Sequence, residues 1–120
     1  MKSLPKKRQI DVDGQKVAYT VVGSGRLTIV LINGVGVPLN AWNDLYPEIE
    51  KLGTVVAYDS FGVGGSSLPL VPQTGEVVVR MLRNLLNAIG VKGPYVLVGH
   101  SFGGLYANLF ARLYPNDVAG

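Results

Sequence analysis

Cysteine is absent from this chain, and histidine occurs once, at position 100. No disulfide or thiolate metal site can form, and one imidazole is a poor start for any zinc site. Charged residues make up only 16% of the chain, too few for a solvated acidic or basic domain. The net charge of +3 comes partly from Lys2, Lys6, Lys7 and Arg8 at the extreme N-terminus. No aromatic platform or recognition helix accompanies that patch, so nucleic-acid binding is not expected. Long hydrophobic runs are missing too. The longest apolar stretch, Leu27 to Val37, is interrupted by Thr28, Asn33 and two glycines. Neither a membrane span nor a signal peptide fits, and the expectation is a soluble, cytoplasmic protein. There is no G-x-x-x-x-G-K-[ST] loop for nucleotide phosphates. Gly62-Val63-Gly64-Gly65-Ser66-Ser67 runs into Leu68-Pro69 rather than a helix, which argues against a dinucleotide site.

What is present is apolar and glycine-rich: 48% hydrophobic residues, 16 glycines and 7 prolines in 120 positions. That composition fits one buried core with many tight connections. Arg8 to Val12 and Lys16 to Val22 alternate like strands around Asp13-Gly14, a hairpin turn pair. Leu27 to Asn33 is continuously aliphatic, as in a strand buried on both faces of a parallel sheet. A glycine-containing loop, Gly34 to Leu39, leads to Asn40. This residue is placed to cap a helix with apolar positions Trp42, Leu45, Ile49 and Leu52, which Pro47 splits. Thr54 to Asp59 reads as another buried strand, followed by a mobile-looking segment from Ser60 to Gln73. Thr74 then caps a helix with Glu76 in its first turn, the stripe Val78, Met81, Leu82, Leu85 and Ile89, and Gly90 past its end. Tyr95 to His100 is a further apolar strand. The run Phe102, Leu105, Tyr106, Leu109, Phe110 and Leu113 has helical spacing and stops before Pro115. Strand and helix thus alternate, and the predicted fold class is α/β: a β-hairpin followed by βαβαβα parallel units, helices on both faces.

One motif carries chemistry. Gly99-His100-Ser101-Phe102-Gly103-Gly104 is a G-x-S-x-G sequence between a predicted strand and a predicted helix. A serine at so sharp a turn is forced into a strained conformation, and small residues at Gly99 and Gly103 let the two elements approach. Its hydroxyl then projects away from the sheet. The amide of Phe102 begins the helix, unpaired and at the positive end of the dipole, where a tetrahedral oxyanion would form. The plainer reading is a glycine-rich corner with no chemistry.

This constellation resembles the α/β-hydrolase superfamily, and the resemblance extends over nearly the whole chain, as the first half of that fold. Leu31-Ile32-Asn33-Gly34-Val35-Gly36 is similar to the family's His-Gly oxyanion loop, which implies that Val35 supplies the second backbone donor. Asn33 stands where the family usually has a structural histidine, so its consequence is expected in loop packing. Tyr58-Asp59-Ser60-Phe61-Gly62-Val63-Gly64-Gly65-Ser66 resembles the loop after the fourth strand, and Pro115 to Gly120 the approach to the sixth. Asp59 precedes the serine, the wrong order for the family's acid, and is expected to tie down its own loop.

The family's order is nucleophile, acid, histidine, and no histidine follows Ser101. His100 is adjacent to Ser101 and is expected to pack beside the elbow. Asp117 falls at a surface turn and is rejected as the triad acid. Residues 1–120 therefore read as a single incomplete α/β-hydrolase core. The resemblance implies that the later strands, cap, acid and histidine lie on polypeptide beyond Gly120. Tyr95 to His100 would then be an unpaired apolar edge, inviting either the remainder of the fold or self-association.

The implied activity is serine-nucleophile hydrolysis of an ester, amide or related acyl or carbon–carbon bond, with Ser101 attacking and Phe102 and Val35 as oxyanion donors. No metal or organic cofactor is implied, and the isolated chain should be nearly inactive. The alternatives are a non-catalytic interaction module of the same fold, or cofactor-free haloperoxidase-like chemistry. The superfamily's dehalogenases usually carry aspartate at the nucleophile position, so Ser101 argues against that branch. The substrate is not legible; Trp42, Phe61 and Phe102 are candidate walls, with packing the expected role of Trp42.

Overall fold

A computed structural model of the chain describes residues 6–34 and 36–120. Five strands, β1 (Arg8–Val12), β2 (Gln15–Val22), β3 (Thr28–Ile32), β4 (Thr54–Tyr58) and β5 (Tyr95–Gly99), form one sheet in the order β1-β2-β4-β3-β5. The opening pair is the expected antiparallel hairpin, with Val12 opposite Gln15. Its two-residue turn works because Asp13 and Gly14 both take positive φ, 52° and 81°, as that turn type requires. β2 joins β4 antiparallel, and β3 lies parallel between β4 and β5. Three helices complete the order: α1 (Tyr46–Ile49), α2 (Gly75–Ile89) and α3 (Phe102–Leu113).

Side chains on a strand alternate between faces, and the core divides accordingly. Val30, Ile32, Val56 and Tyr58 pack with Val79, Leu82, Leu85 and Leu86 of α2 and with Phe110 of α3. Ile29, Leu31, Val55 and Ala57 pack on the other side with Leu39 and Trp42. All five β3 residues are buried, as its unbroken aliphatic run predicts. α2 also begins and ends where its sequence says. Thr74 Oγ1 accepts from the Val77 amide at 3.3 Å, and Gly90 closes the helix with φ 78°.

The second face departs from expectation. Asn40 caps nothing; it lies inside a 3-10 turn, Leu39–Trp42, whose N-cap position is Pro38. α1 is a single turn followed by another 3-10 turn, Glu50–Leu52. Leu45 and Leu52 are exposed rather than buried. Pro47 removes an amide and splits the segment, as its position implies, and the segment covers this face with Leu39 and Trp42 and, partly buried, Ile49. On α3, too, the apolar face is only partly used. Phe110 is buried, whereas Phe102, Leu105 and Leu113 are exposed.

The segment after β4 is pinned, not loose. Ala18 and Lys16 amides donate to the Ser66 and Ser67 hydroxyls at 2.9 and 3.0 Å, and Gln9 and Gln15 side chains donate to the carbonyls of Gly65 and Leu68. β2 thereby finds partners for its first residues, which extend past the end of β4. The outer edge of β5 is also not bare, contrary to expectation. Residues 118–120 run parallel to it, with the Ala119 amide donating to Tyr95 O at 2.7 Å and the Leu97 amide to Gly120 O at 2.8 Å. Pro115 to Gly120 thus turns back onto the sheet as a sixth strand would begin. Among the described residues, no helix is long and apolar enough to cross a membrane.

Candidate active site

Ser101 stands between the end of β5 and the start of α3 with φ 59° and ψ −126°. A non-glycine residue in that region carries strain of about 1–3 kcal/mol and persists only where its surroundings impose it. Here the surroundings are two glycines. A Cβ on Gly99 would sit 2.5 Å from the backbone of Gly103, and one on Gly103 would strike the carbonyl oxygen of Ile32. The first turn of α3 therefore presses against the ends of β5 and β3, with the turn at Ser101 as the only route between them. The His100 amide donates to Ile32 O at 3.0 Å and locks the corner to the neighbouring strand. Ser101 is exposed, and its hydroxyl makes no capping bond to the helix.

Phe102 opens α3, where no carbonyl of the same helix can reach its amide. The loop after β3 comes alongside: a Cβ on Gly34 would lie 3.3 Å from Phe102 N. Val35, the residue expected to give the second donor, lies outside the described residues. Its two flanking residues do not: Gly34 rests on the elbow, and Gly36 takes φ 77°. Asn33 is buried, and its Nδ2 donates to Pro38 O at 2.9 Å across the loop. The amide thus satisfies the packing position that the family usually gives to histidine.

His100 directs its ring edge-on to Trp42, with centroids 6.4 Å apart. Both line a cleft of about 240 Å³ with Asn33, Val37, Ala41 and Leu45. No hydrogen bond joins His100 to Ser101 among the described residues. Trp42 is 6% exposed and belongs to the core of the second face, as expected, while one side of it borders this cleft. Phe61 lines a separate cleft of about 230 Å³ with Gly36, Val63, Gln73, Val78 and Tyr106. Phe102 is open to solvent. Burial, offset in part by the Ser60 hydroxyl, pushes the Tyr58 phenol far above its usual range, so it stays neutral. Asp117 is tied to Arg83 at 3.0 Å, on the far end of α3 from Ser101, which keeps it out of the site.

Asp59 is fully buried and holds more than its own loop. It accepts from Gly65 N at 3.0 Å, as expected, but also from Leu39 N at 2.7 Å and Lys7 Nζ at 3.2 Å. Sequence reasoning missed the last two because both partners are distant in the chain and neither belongs to a motif. The described residues contain no cluster of three or more His, Cys, Asp or Glu side chains able to hold a metal ion.

The sequence pattern of the α/β hydrolase fold matches residues 28–120. An uncharacterized Bacillus subtilis protein, YbdG, is 32% identical over 91% of this chain and 34% of its own length. A 2-hydroxy-6-oxononadienedioate/2-hydroxy-6-oxononatrienedioate hydrolase of Paraburkholderia phymatum is 31% identical over 86% of this chain and 37% of its own. Among solved structures, a membrane phospholipase A superposes with TM-score 0.88 at 31% identity, covering 95% of this chain and 37% of that one. Epoxide hydrolase A of Mycobacterium thermoresistibile superposes with TM-score 0.86 at 28% identity, covering 96% and 37%. The chain spans about a third of the length of the relatives it matches. With its sheet order, its strained elbow and these matches agreeing, the chain belongs to the α/β-hydrolase fold family.

Proposed function

We propose that this chain is the nucleophile-bearing part of a serine hydrolase acting on an ester, amide or related acyl or carbon–carbon bond. The observation that supports it is the backbone of Ser101: a strained, exposed, uncapped serine at the mouth of a helix. Strain of this kind clusters at active sites, where the surrounding structure holds it in place. In the proposed reaction the Ser101 Oγ attacks the carbonyl carbon, its proton passes to a histidine, and that histidine protonates the leaving alcohol, amine or carbon as the bond to the acyl carbon breaks. The oxyanion is held by the amides of Phe102 and Val35, and water releases the acyl group. The relatives named as hydrolases support the reaction class without deciding the bond.

The base must come from elsewhere, because His100 is the only histidine and faces Trp42. The same observation favours the second reading, that these 120 residues alone form a non-catalytic module. A p-nitrophenyl ester assay separates the two. Hydrolysis restored by supplying the rest of an α/β-hydrolase sheet, and lost again with Ser101→Ala, supports the enzyme; no recovery leaves the module. We further propose that the supplied polypeptide, or a second copy, covers the β5 side, where Val96 and Val98 are only half-buried and Leu105 and Leu113 are exposed. Analytical ultracentrifugation of the chain alone should then show self-association, and a stable, monodisperse monomer would contradict it.

A further inference from the structure

On either side of Val35 the loop 34–38 has one described bond of its own, from the Val37 amide to Gly34 O at 3.4 Å, and Pro38 fixes its own backbone angle at φ −75°. Gly34 and Gly36 have no side chains, and Gly36 takes the left-handed conformation, so the unfolded segment samples many alternatives. It is also held from outside, at both ends. At one end Gly34 lies against the Phe102 amide. At the other the Leu39 amide donates to Asp59 Oδ1 at 2.7 Å in a fully buried setting. Such a bond to a carboxylate is shorter and about twice as strong as a neutral one. The Asn33 side chain spans the loop between these ends, donating to Pro38 O.

We infer that Asp59 is a positioning residue for the oxyanion loop, acting through the amide of Leu39; this rests on the oxyanion reading proposed above. The carboxylate is suited to the task because its other oxygen is separately fixed. Oδ2 accepts from Gly65 N and from Lys7 Nζ, so three stretches of chain converge on one group. The loop after β4 closes tightly around it, since any Cβ on Gly64 would strike the carboxylate. Its own backbone is anchored too, with Asp59 N donating to Ala18 O at 2.9 Å and Asp59 O accepting from the Ser66 hydroxyl. A buried carboxylate with this many donors is a fixed point, not a liability. Catalysis is sensitive to such fixing, because a donor misplaced by about 1 Å can cost roughly 100-fold in rate.

Amide NMR on the isotopically labelled chain tests this without any turnover. Asp59→Asn keeps the shape of the side chain but replaces one acceptor oxygen with a donor. The expected result is that the Gly34, Val37 and Leu39 amides shift, and that exchange of the hydrogen-bonded Val37 and Leu39 amides accelerates about tenfold or more, together with Gly65. Ser66→Ala, which removes the serine's bonds to Ala18 N and Asp59 O, should disturb positions near 18 and 65–67 and leave Val37 and Leu39 within about twofold. Disturbance confined to Gly65 and its neighbours in Asp59→Asn overturns the inference, as does equal loosening of the oxyanion loop by both variants. If Asp59→Asn does not fold, exchange in the unmodified chain decides. A Leu39 amide as protected as that of Gly65 supports the clamp, and one exchanging at the rate of a free peptide ends it. An unreactive Ser101 would remove the catalytic meaning of the loop but leave these amide responses in place.

Discussion

β4 and β5 are five-residue strands of nearly the same character, Thr-Val-Val-Ala-Tyr and Tyr-Val-Leu-Val-Gly, and both border β3. Four of the five β4 residues are buried, but only Tyr95 of β5 is. The difference is position. β4 has β2 on its free side and structure over both faces, whereas β5 has only residues 118–120 beside it, with Val96 and Val98 half-covered. Hydrophobicity says that a segment can be buried; the neighbours decide whether it is. The same contrast separates the two sides of the candidate site, where the β4 side is clamped through Asp59 and the α3 side leaves Leu105 and Leu113 in solvent.

The largest effect should come from the corner that joins the two sides. Gly103→Ala places a Cβ into the Ile32 carbonyl and should cost about 3 kcal/mol or more in urea denaturation. Gly104→Ala, one residue on, meets nothing within 4 Å in a helical position and should be neutral or stabilising by up to about 1 kcal/mol. If the two variants behave alike, close approach at the elbow is not what requires glycine there. A smaller pair of effects tests the strands themselves. Val56→Ala removes two fully buried methyl groups and should cost about 2 kcal/mol, while Val98→Ala should cost less than about 1 kcal/mol. The same pair measured after the sheet is completed sharpens the comparison, because covering β5 should bring the Val98 cost toward that of Val56.

The parts legible in sequence are those encoded locally. The Asp13-Gly14 turn, the Thr74 cap, the Gly90 stop and the unbroken β3 run each act within a few residues, and each stands where the sequence places it. Ser101 and its flanking glycines belong with them as a motif of consecutive residues, although the carbonyl that demands glycine at 103 is that of Ile32 on β3. What stayed hidden depends on contacts distant in the chain. The split at Pro47 is legible, but spacing that suits a helix from Asn40 does not reveal that Asn40 caps nothing or that Leu45 and Leu52 end in solvent. Nor does a segment rich in glycine, serine and proline announce that β2 will hold it through Ser66 and Ser67. Asp59 shows both regimes in one residue. Its bond to Gly65 spans six positions and lies within its own loop, as expected, whereas its bond to Leu39 joins the end of β4 to the 3-10 turn Leu39–Trp42 and appears only once the sheet is assembled.

Fluorophosphonate labelling of this chain joined to the rest of an α/β-hydrolase sheet, with the modified peptide mapped by mass spectrometry, bears on the proposed nucleophile, Ser101, at the reacting atom itself. One phosphonylated residue, Ser101, is expected, with no labelling of the Ser101→Ala variant. A labelled Ser101→Ala protein, or an active hydrolase whose Ser101 stays unmodified, would contradict that role.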